Sequence, residues 1–270
     1  MKNPLRRWFL PAVLLLAACL YTYRLEVPES YSYPAAGINA LSAETKSGGI
    51  TVTAAADTTI TVDVLKFAYG RDKADAEKAI KNVEFSDTVV GGEIRVKADM
   101  PSGTRSYGCQ FSISVPEATA LGLVTTNGDV TVSGTRGSIA ASTTNGDVEL
   151  TGTTGTAEVS TTNGRLNVQV HSGAVEGTTT NGTVDCDLAA LGPTETVGLA
   201  TTNGTVTLLL PDDVSAVIDA TNTNGIITFN DFTVIYEEQT ATHVRGRIGS
   251  GASTITITTT NGDITVRRRS

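Results

Sequence analysis

Apolar residues recur along this chain in short alternating runs, and the runs themselves recur at a nearly fixed interval. The string Thr-Thr-Asn-Gly marks the interval: Thr125-Thr126-Asn127-Gly128, then the same motif at Asn145, Asn163, Asn181, Asn203 and Asn261, with Asn222-Thr223-Asn224-Gly225 as a variant. Successive Asn residues are 18, 18, 18, 22, 21 and 37 positions apart. Three residues after the Asn stand Val130, Val148, Leu166, Val184, Val206, Ile227 and Ile264. Five after it stand Val132, Leu150, Val168, Cys186, Leu208, Phe229 and Val266, and four before it Leu123, Ala141, Val159, Gly177, Leu199, Ala220 and Ile257. The residues between are polar or small. This alternation predicts strands with one buried face, and the Val, Ile and Thr content suits strands. A fixed period of this length predicts stacked units, none of which can bury its apolar face alone.

The expected fold is therefore all-β, a single-stranded parallel β-solenoid with coils of about 18 residues. Such a coil has a perimeter near 60 Å, and eight of them stack into a rod roughly 35–40 Å long. The Asn-Gly pair reads as the corner. Gly128, Gly146, Gly164, Gly182, Gly204, Gly225 and Gly262 are expected where the backbone needs positive φ. Asn127, Asn145, Asn163, Asn181, Asn203, Asn224 and Asn261 are expected to point inward and hydrogen-bond from coil to coil. The Thr two residues earlier shares that parity and predicts a second ladder. A β-hairpin reading of Asn-Gly does not explain an 18-residue identity period.

The pattern is weaker on either side of the repeats. Residues 43–52 fill the same columns, with Ser47 in place of Asn. Residues 72–83 have helical spacing, with Ala76, Ala79, Ile80 and Val83 on one face, and predict a cap or side excursion that shields an open sheet edge. The 37-residue gap before Asn261 predicts one irregular coil. The division that follows is an export signal at 1–18, a lipidated Cys and tether at 19–37, an irregular solenoid part at 38–116 and the regular solenoid at 117–270.

The first segment indicates location. Lys2, Arg6 and Arg7 precede an apolar stretch from Trp8 to Ala18, too short to span a bilayer. A basic start, a short apolar core and small residues form an export signal. Leu16-Ala17-Ala18-Cys19 resembles the bacterial lipobox, which implies that Cys19 is acylated and anchors the protein to a membrane of the bacterial envelope, inner or outer. Two readings of the same residues stay open: an uncleaved anchor from Trp8 to Tyr23, and a conventional cleaved signal.

Charge and cysteine usage narrow the function classes. A formal charge of −8 in 270 residues argues against a nucleic-acid partner, and Arg267-Arg268-Arg269 reads as a short solvated tail. In an exported protein Cys109 and Cys186 invite a disulfide. Both fall in inward apolar columns, about three coil heights apart, so both thiols are expected to stay free. No metal or cofactor is expected. Calcium solenoids repeat an Asp in each coil, whereas the position two after the Asn reads Asp129, Asp147, Arg165, Thr183, Thr205, Ile226 and Asp263. The outward Thr126, Thr144, Thr162, Thr180, Thr202, Thr223 and Thr260 form one column without a matching second one. His171 and His243 lie in different coils and read as exposed residues. Asp129, Asp147, Glu149 and Arg165 are the candidate surface interaction residues. Asp147, Glu149, Arg165 and Asp185 are the nearest approach to a catalytic face.

With these columns placed, residues 38–268 resemble the bacterial putative-adhesin family of β-strand-repeat envelope proteins. The resemblance rests on the Thr-Thr-Asn-Gly-Asp-Val-like turns, Ser114-Val115-Pro116, Leu210-Pro211-Asp212-Asp213, and the closing Arg245–Gly251 and Ile255–Ile264 stretches. It implies an envelope solenoid without known catalytic residues. The expected function is a non-catalytic envelope lipoprotein, adhesin-like or scaffolding, that meets an envelope glycan or protein. The alternative is a polysaccharide-degrading β-helix enzyme.

Overall fold

Each repeat folds as two strands that meet at the Asn-Gly corner and part into two facing sheets. The computed structural model describes residues 23–56, 58–101 and 107–269; the export signal and Cys19 lie outside the described residues. The chain begins with β1 (Tyr23–Pro34), β2 (Ala40–Glu44), β3 (Ile50–Ala54), β4 (Thr59–Gly70), α1 (Lys73–Ile80), β5 (Glu84–Val90), β6 (Glu93–Asp99) and β7 (Tyr107–Val115). Five regular coils follow: β8 (Ala120–Val124) with β9 (Val130–Ser133), β10 (Ile139–Asn145) with β11 (Val148–Thr151), β12 (Ala157–Asn163) with β13 (Leu166–Ser172), β14 (Val175–Asn181) with β15 (Val184–Ala190), and β16 (Thr196–Asn203) with β17 (Val206–Leu210). The chain closes through β18 (Ala216–Asn224), β19 (Ile227–Phe229), β20 (Ile235–Gln239), β21 (His243–Ile248), β22 (Ser253–Asn261) and β23 (Ile264–Arg268).

Strands before the corner build a 12-stranded sheet and strands after it an 11-stranded sheet. Pairing in the stack is parallel and in register, so Asn145, Asn163, Asn181 and Asn203 lie side by side. The inward columns, Val148, Leu166, Val184 and Val206 from one sheet and Ile139, Ala157, Val175 and Val197 from the other, are buried between the sheets. This is the solenoid that the 18-residue period predicts. At about 4.8 Å per strand the 11-stranded sheet extends about 48 Å and the 12-stranded one about 53 Å, longer than the expected 35–40 Å.

Spatial order departs from chain order at both ends. The 11-stranded sheet runs β1-β4-β7-β3-β9-β11-β13-β15-β17-β23-β19. The early coil β2–β3 lies between β6–β7 and β8–β9. The last coil, β22–β23, is inserted between β16–β17 and β18–β19. Its Ile255, Ile257, Ile264 and Val266 are completely buried, whereas Ile227 and Phe229 on the outermost coil are only half-buried. Placing the all-apolar coil inside and the aromatic one outside puts the larger apolar side chains where burial is incomplete.

Antiparallel strands then close the stack. At the first end β1 pairs with β4 along 12 residues and β5 pairs with β6. Tyr31, Phe85 and Phe111 stack between them, with centroids 4.5 and 6.1 Å apart. At the far end β21 pairs antiparallel with β18, and β20 with β21.

Several expectations are corrected here. Residues 23–34 are a strand and not a tether, because Leu25, Val27, Glu29, Tyr31 and Tyr33 alternate inward against β4. The helix covers 73–80 and packs on β4 and β1 at the crossover to β5; three of the four sheet edges end in antiparallel strands, and the fourth is the short strand β19. The long gap before Asn261 holds no additional coil, since 235–248 form the β20–β21 hairpin, which adds antiparallel to the edge of one sheet only. Cys109 and Cys186 are buried free thiols, as expected. Four strands separate β7 from β15, about 24 Å, so the distance is larger than sequence order suggested.

Candidate functional site

The first Thr, the Asn and the Gly of the repeated motif are consumed by contacts between coils, and the second Thr is exposed. The Asn side chains do form a ladder: Nδ2 of Asn145 donates to Oδ1 of Asn127 at 2.9 Å, and Asn163, Asn181, Asn203, Asn261 and Asn224 continue it, each donating to its neighbour at 2.8–2.9 Å. Its final steps run Asn203, Asn261, Asn224, which records the inserted last coil. These residues are exposed, so the expectation of an inward ladder is overturned. The residue with inward parity is the preceding Thr, and the Asn turns out at the corner. Each rung is then worth no more than an ordinary solvated hydrogen bond, about 0.5–1 kcal/mol.

The inward Thr forms a different ladder from a Thr-to-Thr one. The buried hydroxyls of Thr143, Thr161, Thr179, Thr201 and Thr259 donate at 2.9–3.1 Å to the carbonyls of Gly128, Gly146, Gly164, Gly182 and Gly204 in the adjacent coil. That contact explains the glycines. Gly164, Gly182 and Gly204 do not have positive φ, which corrects the conformational expectation. A Cβ at any of the seven corner glycines would overlap the backbone of the glycine in the next coil, Gly146 for Gly164 and Gly164 for Gly182. Close approach of coils, more than φ, excludes a side chain.

The candidate surface residues lie side by side along this corner. Asp129 Oδ1 accepts the backbone N–H of Asp147 at 2.8 Å, and Asp147 Oδ1 that of Arg165 at 2.7 Å. Asp263 does the same for Ile226. These carboxylates therefore cap the corner of the next coil. Glu149 accepts from Asn167 Nδ2 at 3.4 Å, and Arg165 Nε reaches Thr183 at 3.2 Å and Asp185 at 3.9 Å.

The stack is interrupted once within its regular part. Register between β13 and β15 shifts between Val168 and His171, and Val170 has φ +54°. For a β-branched residue this conformation costs roughly 1–2 kcal/mol. The bulge turns His171 completely inside, beneath the column of Thr135 and Thr153, which corrects the exposed reading. Its Nε2–H donates to the Gly155 carbonyl at 3.2 Å, and Nδ1 accepts from the Thr153 hydroxyl at 2.8 Å. Burial lowers its pKa and keeps the ring neutral.

On the outer side of the same bulge lies a groove of about 290 Å³ lined by Asn167, Gln169, Asp185, Asp187, Leu209 and Arg267, with Val168 and Cys186 at its base. The supposed solvated tail helps to build it. Arg267 lines it, Arg269 Nε lies 2.8 Å from Asp187 Oδ1, and Arg268 pairs with Asp212 at 3.3 Å and stacks on Phe232. Asp187, Gln169, Leu209 and Arg267 were missed at the sequence level. They share the outward column six residues after the Asn, which never repeats and so gave no signal.

The second histidine is also engaged. His243 Nε2 lies 3.0 Å from Asp219 and Nδ1 3.2 Å from Glu238, so it clamps β18, β21 and β20 together. These carboxylates raise its pKa. Among the described residues no group of three or more His, Cys, Asp and Glu is placed to hold a metal ion, and no helix is long and apolar enough to cross a membrane.

Three solved structures are similar to the chain. A putative cell adhesion protein from Clostridium sporogenes ATCC 15579 is 14% identical, with 91% of this chain and all of that one covered and a TM-score of 0.41. A putative adhesin from Bacteroides fragilis NCTC 9343 is 12% identical over 90% and 97%, with a TM-score of 0.42. A putative lipid binding protein from Parabacteroides distasonis ATCC 8503 is 11% identical over 90% and 97%, with a TM-score of 0.36. No curated protein matches the chain. Residues 87–267, about two-thirds of the sequence and nearly all of the two-sheet stack after its first strands, match the model of the Toastrack DUF4097 family, and the chain belongs to that family.

Proposed function

We propose that this protein is an envelope lipoprotein, exported and anchored through acylated Cys19, whose solenoid is an adhesin-like, non-catalytic interaction surface for an envelope glycan or protein. The observation that carries the reading is a division of labour within the coil. The first Thr, the Asn and the Gly of the motif are committed to bonds and contacts between coils, and the surface left to meet a partner is the uniform outward Thr column with the outward positions that differ from coil to coil. A rigid frame with a variable polar surface suits recognition. The motif Leu16-Ala17-Ala18-Cys19 supports the anchor.

Pull-down from intact envelopes with the full chain tests the interaction: a captured envelope component is expected, and no capture contradicts it. Loss of acyl labelling in Cys19→Ala is expected for the anchor; labelling that persists would contradict acylation there. Hydrolysis of a polysaccharide panel that Asp147→Ala or Arg165→Ala abolishes would replace this reading with the enzymatic one.

A further inference from the structure

The geometry points to the groove beside the Val170 bulge as a binding site for one unit of a neutral saccharide. The inference rests on the envelope-interaction reading above and names the ligand class of one face. It starts from backbone. Four regular parallel strands would leave a flat outer surface, but the extra residue in β13 opens the ladder against β15 so that the groove reaches Val168 and Cys186. A β-branched residue held at φ +54° marks the place where regularity is given up, and strain of this kind concentrates at functional sites.

The lining then selects the ligand. Asn167 and Gln169 each offer both donors and acceptors, Asp185 and Asp187 offer acceptors, and Arg267 offers a planar set of donors. Asp187 Oδ1 is buried with Arg269 Nε 2.8 Å away, so this ion pair fixes the carboxylate and the guanidinium at the groove wall. Opposite charges nearly balance: Asp185 and Asp187 face Arg267 and Arg269, with Arg165 3.9 Å from Asp185. Two carboxylates disfavour phosphate or an acidic sugar, and the arginines disfavour a free cation. A neutral polyol, whose hydroxyls both donate and accept, fits this mixture. Leu209 supplies an apolar patch for the C–H face of a ring. A volume of about 290 Å³ suits a single small unit.

Other grooves of similar size among the described residues do not combine these features. One is bordered by Glu176, Gly198, Thr254 and Thr256 without a guanidinium, one at Pro28, Ser30 and Asp63 lies on regular paired strands, and one at Asn82, Glu84 and Asp99 has no cation in its lining.

The test is calorimetric titration of the full chain, held in a polyoxyethylene detergent that carries no sugar. The probes are neutral oligosaccharides (glucose, mannose and N-acetylglucosamine oligomers), oligogalacturonate and inorganic phosphate. Saturable binding of a neutral oligomer is expected, weakened at least tenfold by Gln169→Ala and by Asp185→Ala and unchanged by Thr178→Ala on the opposite sheet. Both groove positions point outward, so an unchanged unfolding midpoint accompanies the loss. Binding of no neutral oligomer, stronger binding of oligogalacturonate or phosphate, or neutral binding indifferent to both groove substitutions would each overturn the site. An envelope component captured equally by the Gln169→Ala chain would remove the groove while leaving the interaction reading intact. Capture by neither chain would remove the interaction reading itself.

Discussion

The middle of the stack and its two ends solve opposite problems with the same two sheets. In the middle, from β8 to β17, each coil must accept another coil on both sides, and the same residue meets itself repeatedly: Asn on Asn, glycine on glycine carbonyl, Thr on glycine carbonyl. At the ends, stacking must stop. Antiparallel β1, β5, β20 and β21 end three of the four sheet edges, with Pro28 and Pro34 on the outer strand β1 and acidic Glu237 and Glu238 on β20, and the fourth edge is β19, only three residues long. Such devices discourage further edge pairing. The comparison teaches that repetition in sequence reports contact between equivalent residues, and that loss of repetition marks where the molecule faces something else.

The largest expected contrast is between two glycines. Gly164→Ala places a methyl group against the Gly146 carbonyl in the packed middle, and should destabilise by at least about 2 kcal/mol. Gly91→Ala, in the β5–β6 turn with open space around it and φ +61°, should cost only about 1 kcal/mol for the backbone. Denaturant unfolding of the two variants measures the difference; equal effects would erase the distinction between middle and end.

A second contrast concerns the Thr ladder. Thr161→Val removes a buried hydroxyl that satisfies Gly146 and should cost roughly 1–2 kcal/mol. The outermost coil carries Asn222 in this column, buried, with neither Nδ2 nor Oδ1 partnered. Asn222→Thr should therefore stabilise by about 1 kcal/mol, since its hydroxyl could bond the Gly262 carbonyl as Thr259 bonds Gly204. A smaller loss, about 0.5–1 kcal/mol, is expected for the exposed rung in Asn163→Ala. Thermal or denaturant midpoints check all three, and a neutral Thr161→Val together with a destabilising Asn222→Thr would contradict the column assignment.

The two histidines separate middle from end by pH. His171 in the middle has a folded pKa below its unfolded value of about 6.5, so its neutral ring favours the fold above that pH. That contribution is lost as pH falls below about 6.5 towards the folded value. His243 at the far cap has a raised folded pKa because of Asp219 and Glu238. Its contribution is complete below about 6.5 and is lost as pH rises through the raised value. Imidazole NMR titration should show the two shifted in opposite directions, and stability profiles of His171→Gln and His243→Gln should lose opposite limbs.

Much of the middle was legible because its rules are local and repeated. Inward columns, strand pairs and the glycine corner follow from the 18-residue period, and the free thiols follow from parity. Asn orientation was not legible, because a ladder forms equally well inside or at an exposed corner. The insertion of β22–β23 was hidden for a different reason. Its Thr259-Thr260-Asn261-Gly262 fits the ladder at any level, so the motif sets register and leaves order open. The β1 strand was obscured by its Pro and Tyr residues, which read as a tether while alternating on a sheet edge. The groove lay in an outward column that never repeats, and the His171 bulge leaves no trace in the spacing, because Asn163 and Asn181 are still 18 apart and the register is restored by Ser172.

Paired cysteines test the central claim, that the last coil in sequence is not the last in space. Ala200 on β16 is aligned with Thr258 on β22, and Thr258 is aligned with Thr221 on β18. Adjacent parallel strands bring Cα atoms within about 5 Å, while one intervening strand holds them near 10 Å, beyond disulfide reach. Under mild oxidation Ala200→Cys with Thr258→Cys should cross-link, and Ala200→Cys with Thr221→Cys should not. A bridge in the second pair and none in the first would place the coils in sequence order and contradict the fold described here.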